Sequence, residues 1–207
     1  MALFFKEPLN DDQKVDELQQ YITVNSQFPA LSLLPKIKEV ESRIIIRLIG
    51  QATYDRIHTP YNANSINGDN LELLTKLQLV IANLAMAMFV PFNVVQFDAN
   101  GISTIGKSEQ RTSAYDYQVK DIVSELSRTG NDAIESLLLY LEEKSGVFTE
   151  YSASSNKTAN KAGLVNNAVE FSKFYHIGES RLTFNALRNT YLNVEEDRLK
   201  PLIGQEL

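Results

Sequence analysis

Leu77–Ser108 reads LQLVIANLAMAMFVPFNVVQFDANGISTIGKS, and the changes of pattern inside it decide the fold. From Leu77 to Val90 only Gln78 and Asn83 interrupt the apolar run. A helix apolar on every side is buried by its neighbours. A bilayer span needs about 20 apolar residues, and Pro91 stops this run short, so the stretch predicts the core helix of a soluble protein. After Pro91 the residues turn β-branched and aromatic (FNVVQF), then DANG, then ISTI. Asn and Gly tolerate positive φ, so Asn100-Gly101 between two such runs predicts a hairpin. The expected fold is mainly α: a helical bundle with a small β-hairpin insertion over about 92–106.

The last eight residues, GISTIGKS, also satisfy G-x-x-x-x-G-K-[ST]. In a phosphate loop, backbone N–H groups cradle the phosphates, the lysine reaches the terminal ones, and the hydroxyl binds Mg²⁺. Gly101, Gly106, Lys107 and Ser108 are the residues that would do this here. That motif belongs to a parallel sheet of alternating strands and helices, whereas this sequence offers one strand pair. Asp98, Ala99 and Asn100 also separate the first apolar strand from Gly101. The one candidate for a second acidic strand, LLLYLEE at 137–143, is leucine-rich and reads as helix. The hairpin is the preferred reading, and nucleotide binding through Gly101–Ser108 is the alternative.

Working outward, Val15, Leu18 and Ile22 give an amphipathic helix over 11–22. Ser26 suits the cap of a turn through Leu34, and Pro35 suits the first position of the next helix. That helix carries Ile37, Val40, Ile44 and Leu48 on one stripe, with Gly50 as its stop. Residues 58–70 predict a polar loop, and Asp69 with Glu72 a capping box for a helix over 70–90. Downstream, Ser108 or Thr112 opens a helix ending near Gly130, and Asn131 caps another through Lys144. The Ser/Asn/Lys-rich stretch 149–168 predicts a flexible loop or linker. It divides a helical domain over 1–148 from a C-terminal segment over 169–207.

The chain has 207 residues, a formal charge of −6 and no cysteine. The charge argues against a basic groove for specific nucleic-acid binding, and the missing cysteines exclude disulfides and thiolate metal sites. His58 and His176 are the only histidines. NANSINGD at 62–69 misses the calcium-loop spacing by one residue. Asp11/Asp12, Glu142/Glu143 and Glu195/Glu196/Asp197 read as solvated helix surface. The sequence therefore predicts no catalytic residue, no metal, no cofactor and no membrane partner.

The strongest long-range signal is internal. With one single-residue shift, residues from Glu17 align with residues from Glu170, so that 17–53 is partly repeated over 169–207. Ser26, Leu33, Val40, Glu41, Leu48, Ile49, Gly50 and Gln51 meet Ser180, Leu187, Val194, Glu195, Leu202, Ile203, Gly204 and Gln205. Shared pattern over this length is a duplication signal. The repeat predicts equivalent helices ending at Gly50 and Gly204, with Val194 and Leu202 buried as Val40 and Leu48 are, in their own chain or in a neighbour.

LLPKIKEVESRIIIRLIGQATYDRI at 33–57, LQLVIANLAMAMFVPFNVVQFDANGI at 77–102 and EFSKFYHIGESRLTFNALRNTYLNVEEDRLKPLIG at 170–204 together resemble an uncharacterised prophage-encoded family. The order of parts resembles that of tailed-phage head–tail connector (head-completion) proteins: an acid-bearing helix ending in Leu-Ile-Gly, a small-residue central helix and a short β insertion. The resemblance implies a non-enzymatic virion structural protein that forms a homo-oligomer. It would contact other virion proteins on the portal or tail side, first in the cytoplasm of the bacterial host and then in the virion.

Overall fold

A computed structural model describes residues 2–5, 11–98, 101–104, 115–161 and 163–203. The described chain is mainly helical and is organised around one helix. α1 (Asp11–Gln19) and α2 (Ala30–Val40) precede a π-helical turn at Glu41–Ile45, which continues into α3 (Ile46–Ile49). α4 (Gln51–Asn62) leads to α5 (Gly68–Phe89), the central helix, followed by a 3₁₀ turn over Val90–Val94. Leu73, Leu74, Leu77, Gln78 and the whole of 80–87 are buried. By length and composition Gly68–Asn93 would also cross a membrane, but 67% of its most apolar window is buried inside the protein. α2 packs on one side of α5 and the long α6 (Asp116–Glu143) on the other. Leu33, Ile37, Val40, Ile45 and Ile49 on the first side and Ile134, Leu137, Leu138 and Leu141 on the second complete the core. Each such aliphatic side chain contributes about 1.5–3 kcal/mol on burial.

Two strands, β1 (Val95–Asp98) and β2 (Gly101–Thr104), pair antiparallel with Val95 opposite Thr104 and Asp98 opposite Gly101. Asn100, on which the expected turn falls, lies outside the described residues.

Several local expectations are corrected. Pro35 lies inside α2, which starts at Ala30 after Pro29; Ser26 caps nothing, its hydroxyl donating to Asn25. The polar loop is shorter than expected, because α4 runs through His58 and Pro60 to Asn62. α5 starts at Gly68 with no side-chain cap, so Asp69 and Glu72 form no capping box. Asp69 instead pairs with Lys144 at 3.1 Å and accepts the Tyr140 hydroxyl at its carbonyl, tying α5 to the end of α6.

α6 runs unbroken for 28 residues through Gly130-Asn131, where two helices were expected. Its described start is Asp116, with the Tyr115 N–H donating to Gln118 Oε1 at 3.1 Å, and Ser108 and Thr112 lie outside the described residues. Gly130 serves packing. A Cβ there would lie 2.5 Å from Leu84 Cδ2, so the bare backbone is what lets α6 approach α5. Gly50 does end α3, at φ 83° and ψ 152°, a region essentially reserved for glycine.

The expected linker is also ordered structure where it is described. α7 (Thr149–Ser152) and α8 (Ser155–Asn160) pack on α4 and α3. Phe148 and Tyr151 are buried, and Arg56 lies over the Phe148 ring at 4.7 Å while binding Val147 O and Glu150. Helices this short produce no readable periodicity, which is why the stretch looked like a linker.

Candidate functional site

The C-terminal segment α9 (Ala168–Ser172), α10 (Arg181–Val194), a π turn at Glu195–Leu199 and α11 (Lys200–Ile203) is mounted on α6 by polar groups. Glu135 of α6 caps α10: its carboxylate accepts the Ser180 hydroxyl at 2.6 Å and the N–H groups of Arg181 and Leu182 at 2.9 Å. Ser180 Oγ accepts the Thr183 N–H at 3.0 Å. The first N–H groups of a helix have no partner within it, and here two side chains supply three of the acceptors. A carboxylate also complements the positive end of the helix dipole.

Two helical turns further along α6, Glu142 bridges Arg181 Nε and Lys157 Nζ, each at 2.7 Å. Burial pushes the Glu142 carboxyl up, but these two hydrogen bonds and their charges outweigh it and hold the group below the usual carboxylate range. Glu142 is thus a fixed anion and unsuited to proton transfer. Arg188 donates to Asn156 Oδ1 and Asn160 Oδ1, and Asn160 reaches Asn185 at 2.8 Å. The polar cluster is saturated by its own members.

The apolar part of the segment has two faces. Phe184 is buried and stacks on Tyr191 at 5.4 Å, with Phe171 against both, a small aromatic core between α9 and α10. Elsewhere the segment leaves large apolar side chains in solvent, at the end of α10, in α11 and in the turn after α9. Val194 is 51% exposed, Leu202 83% and Phe174 82%. Of the two ways of burying Val194 and Leu202 that the sequence leaves open, in their own chain or in a neighbour, the single chain does not supply the first. The helix of Val40, α2, packs on α5, whereas α10 packs on α6. A second open apolar surface is a cleft of about 400 Å³ lined by Ile22, Val24, Phe28, Met86, Val90 and Leu126. Next to it, Tyr115, Tyr117 and Ile122 are exposed along the first turns of α6.

Of the proposed phosphate-loop residues, Gly101 is a residue of β2 paired with Asp98, and Gly106, Lys107 and Ser108 lie outside the described residues. Among the described residues no group of three or more His, Asp or Glu side chains is placed to hold a metal. His58, inside α4, stacks on Tyr54 and meets the Asn62 amide, whereas His176 is exposed after α9. Asn62 is also in α4, so NANSINGD does not form a single loop. Glu195 accepts the Leu164 N–H. The side chains of Asp11 and Asp12 lie outside what is described.

Sequence reasoning missed Glu135, because its role depends on a partner 45 residues away. Residues 45–161, more than half of the chain, match the model of a family of unknown function, DUF6712. The chain belongs to that family. The DUF6712 match runs from the end of the π turn through α8, taking in α5 and α6, and stops before α9. No curated protein and no solved structure matches the chain.

Proposed function

We propose that this DUF6712 protein is a non-enzymatic structural subunit that acts by assembling with itself and with other proteins. The observation that carries the reading is the exposure of Val194, at the end of α10, and of Leu202, in α11. Exposed apolar faces mark protein contacts. The resemblance in the order of parts extends the proposal to a prophage-encoded virion component, an adaptor like the head–tail connectors with portal- or tail-side partners. Such a protein is made in the bacterial cytoplasm and carried into the particle. The hairpin insertion over 92–106 belongs to this proposal as a ribbon available to a neighbouring subunit, since two strands alone are marginal in water.

The partial repeat of 17–53 over 169–207 also belongs here. What supports it, beside the sequence match, is the succession of parts. α2 is followed by a five-residue π turn and a four-residue helix, and α10 is followed by the same. The two π turns begin at the aligned residues Glu41 and Glu195. On this reading the second copy carries a face that α5 covers in the first, and a neighbouring subunit covers it in the assembly.

The test is the mass of the full chain in solution by light scattering, with and without Leu202→Asp. Leu202 is exposed in the single chain, so the substitution leaves the fold of the chain intact and is expected to reduce an oligomer to monomer. Equal masses for the two proteins would overturn the assembly reading. Mass spectrometry of particles released after prophage induction tests the virion assignment. Micromolar ATP or GTP binding that Lys107→Ala abolishes would instead favour the nucleotide-binding alternative.

A further inference from the structure

Residues Ala2–Phe5 are all buried, yet they belong to no helix or strand. They lie in a groove built from α1, the π turn and α5, and body side chains read their main chain. Glu41 Oε1 accepts the Leu3 N–H at 2.6 Å, Glu17 Oε2 accepts the Phe5 N–H at 2.8 Å, and Gln78 Nε2 donates to Leu3 O at 2.7 Å. These readers are themselves fixed. Tyr61 and Gln78 donate to Glu17 Oε1, and Tyr21 donates to Gln78 Oε1. Apolar anchors accompany the polar ones, with Phe4 fully buried and edge-on to Tyr21 at 5.8 Å.

This is the anatomy of a binding site: buried aromatic anchors, and a few placed polar groups that fix orientation. Two further features set the groove apart from ordinary core. Its reader Glu41 stands in a π turn, a distortion frequent at functional sites. Phe5 is held at φ 58°, a left-handed conformation that costs a bulky residue roughly 1–2 kcal/mol, so the groove imposes a shape the segment would not keep alone.

We infer that this groove is a peptide-binding site for the apolar segment Ala2–Phe5, and that in the assembled protein it receives that segment from a second copy of the chain. The described hydrogen bonds to the segment come from side chains of the body and end on the four residues themselves, so a segment from a neighbour satisfies the same groups. The second half of the inference rests on the self-assembly proposed above; the first does not.

The probe is a fluorescent peptide of sequence ALFFKEP, residues 2–8, titrated by anisotropy against full chains. The wild type is expected to show no binding at micromolar peptide, because its own segment competes at an effective concentration on the order of millimolar. Phe4→Asp, which unseats the internal segment, is expected to bind the peptide saturably. Adding Glu41→Ala should weaken that binding on the order of tenfold or more, the loss of a hydrogen bond to a charged acceptor. A folded Phe4→Asp chain that ignores the peptide, or binds it equally well without Glu41, overturns the site.

Should Phe4→Asp not fold, hydrogen exchange on the wild type decides the same question. Leu3 and Phe5 amides opening well before α5 support a separable segment, and exchange only on global unfolding overturns it. For the second copy, Phe4→Asp chains are mixed with Glu41→Ala/Gln78→Ala chains, which donate a segment but do not hold one. Association on mixing supports exchange between copies, and peptide binding without association overturns it.

Discussion

Replacing Glu41 by Gln isolates the energetics of a buried carboxylate with a sign opposite to that of Glu142 and Glu150. Glu41 stands on the core face of the π turn, where loss of solvation pushes its carboxyl from 4.5 up to about 6, against the opposing hydrogen bonds from the Leu3 N–H and the Tyr54 hydroxyl. A group whose folded pKa is raised binds more protons in the folded state. It therefore adds stability as pH falls from about 6 to 4.5 and withdraws it as pH rises through about 6. A difference of about 1.5 pH units at 1.36 kcal/mol each makes this about 2 kcal/mol. Glutamine keeps an acceptor for Leu3 and does not titrate. Urea unfolding of both proteins at pH 7 and pH 4.5 should show the stability difference, Gln variant minus wild type, larger at pH 7 by about 2 kcal/mol. Taking the difference removes Glu142 and Glu150, whose lowered values make them lose stability as pH falls below the ordinary carboxylate range. A difference that does not vary with pH, or grows toward acid, refutes the assignment of Glu41 as a desolvated ionised group.

Gly130→Ala places a methyl group 2.5 Å from Leu84 Cδ2, and overpacking of about 1–3 kcal/mol is offset by about 1 kcal/mol of helix propensity. A net loss of about 1 kcal/mol in urea unfolding is expected, and a double-mutant cycle with Leu84→Ala should show favourable coupling. Glu135→Ala removes the acceptors for two N–H groups and a hydroxyl at the start of α10. Hydrogen exchange should quicken in α10 by roughly tenfold for each 1.4 kcal/mol lost and remain unchanged in α5; equal loss in both would show that the segment is part of the main core.

What the sequence made legible was whatever depends on pattern along the chain. The apolar run from Leu77 located the central helix, and the Ile37/Val40 stripe with Gly50 located the helix that packs on it. Local punctuation misled where a neighbour overruled it. Gly130-Asn131 has the residue types of a helix stop, but the missing side chain at Gly130 is used by Leu84 of α5. Asp69 and Glu72 have the spacing of a capping box, but Asp69 faces Lys144. The stretch from 149 to 161 lacked periodicity because its helices are too short to have any, and its order comes from Phe148 and Tyr151 reaching the core.

The candidate sites show the same division more sharply. Glu41 interrupts an otherwise apolar stripe, and a charged residue at a core position is a readable signal that something buried must receive it. Its identity was unreadable, because the receiver is the main chain of Leu3, and a backbone N–H carries no mark in the sequence. Glu135 has the reverse problem. It sits on α6 among polar neighbours and looks like solvated surface, and only the arrival of Ser180 and the two N–H groups behind it turns it into a cap. Val194 and Leu202 are expected to be buried because they align with Val40 and Leu48, in their own chain or in a neighbour, and both are exposed in the single chain. Spacing reports that a face is apolar and leaves open whose surface covers it. On the proposed reading of 169–207 as a partial repeat of 17–53, the face that fixes the fold within one chain in the first copy is the one on which assembly between chains depends in the second.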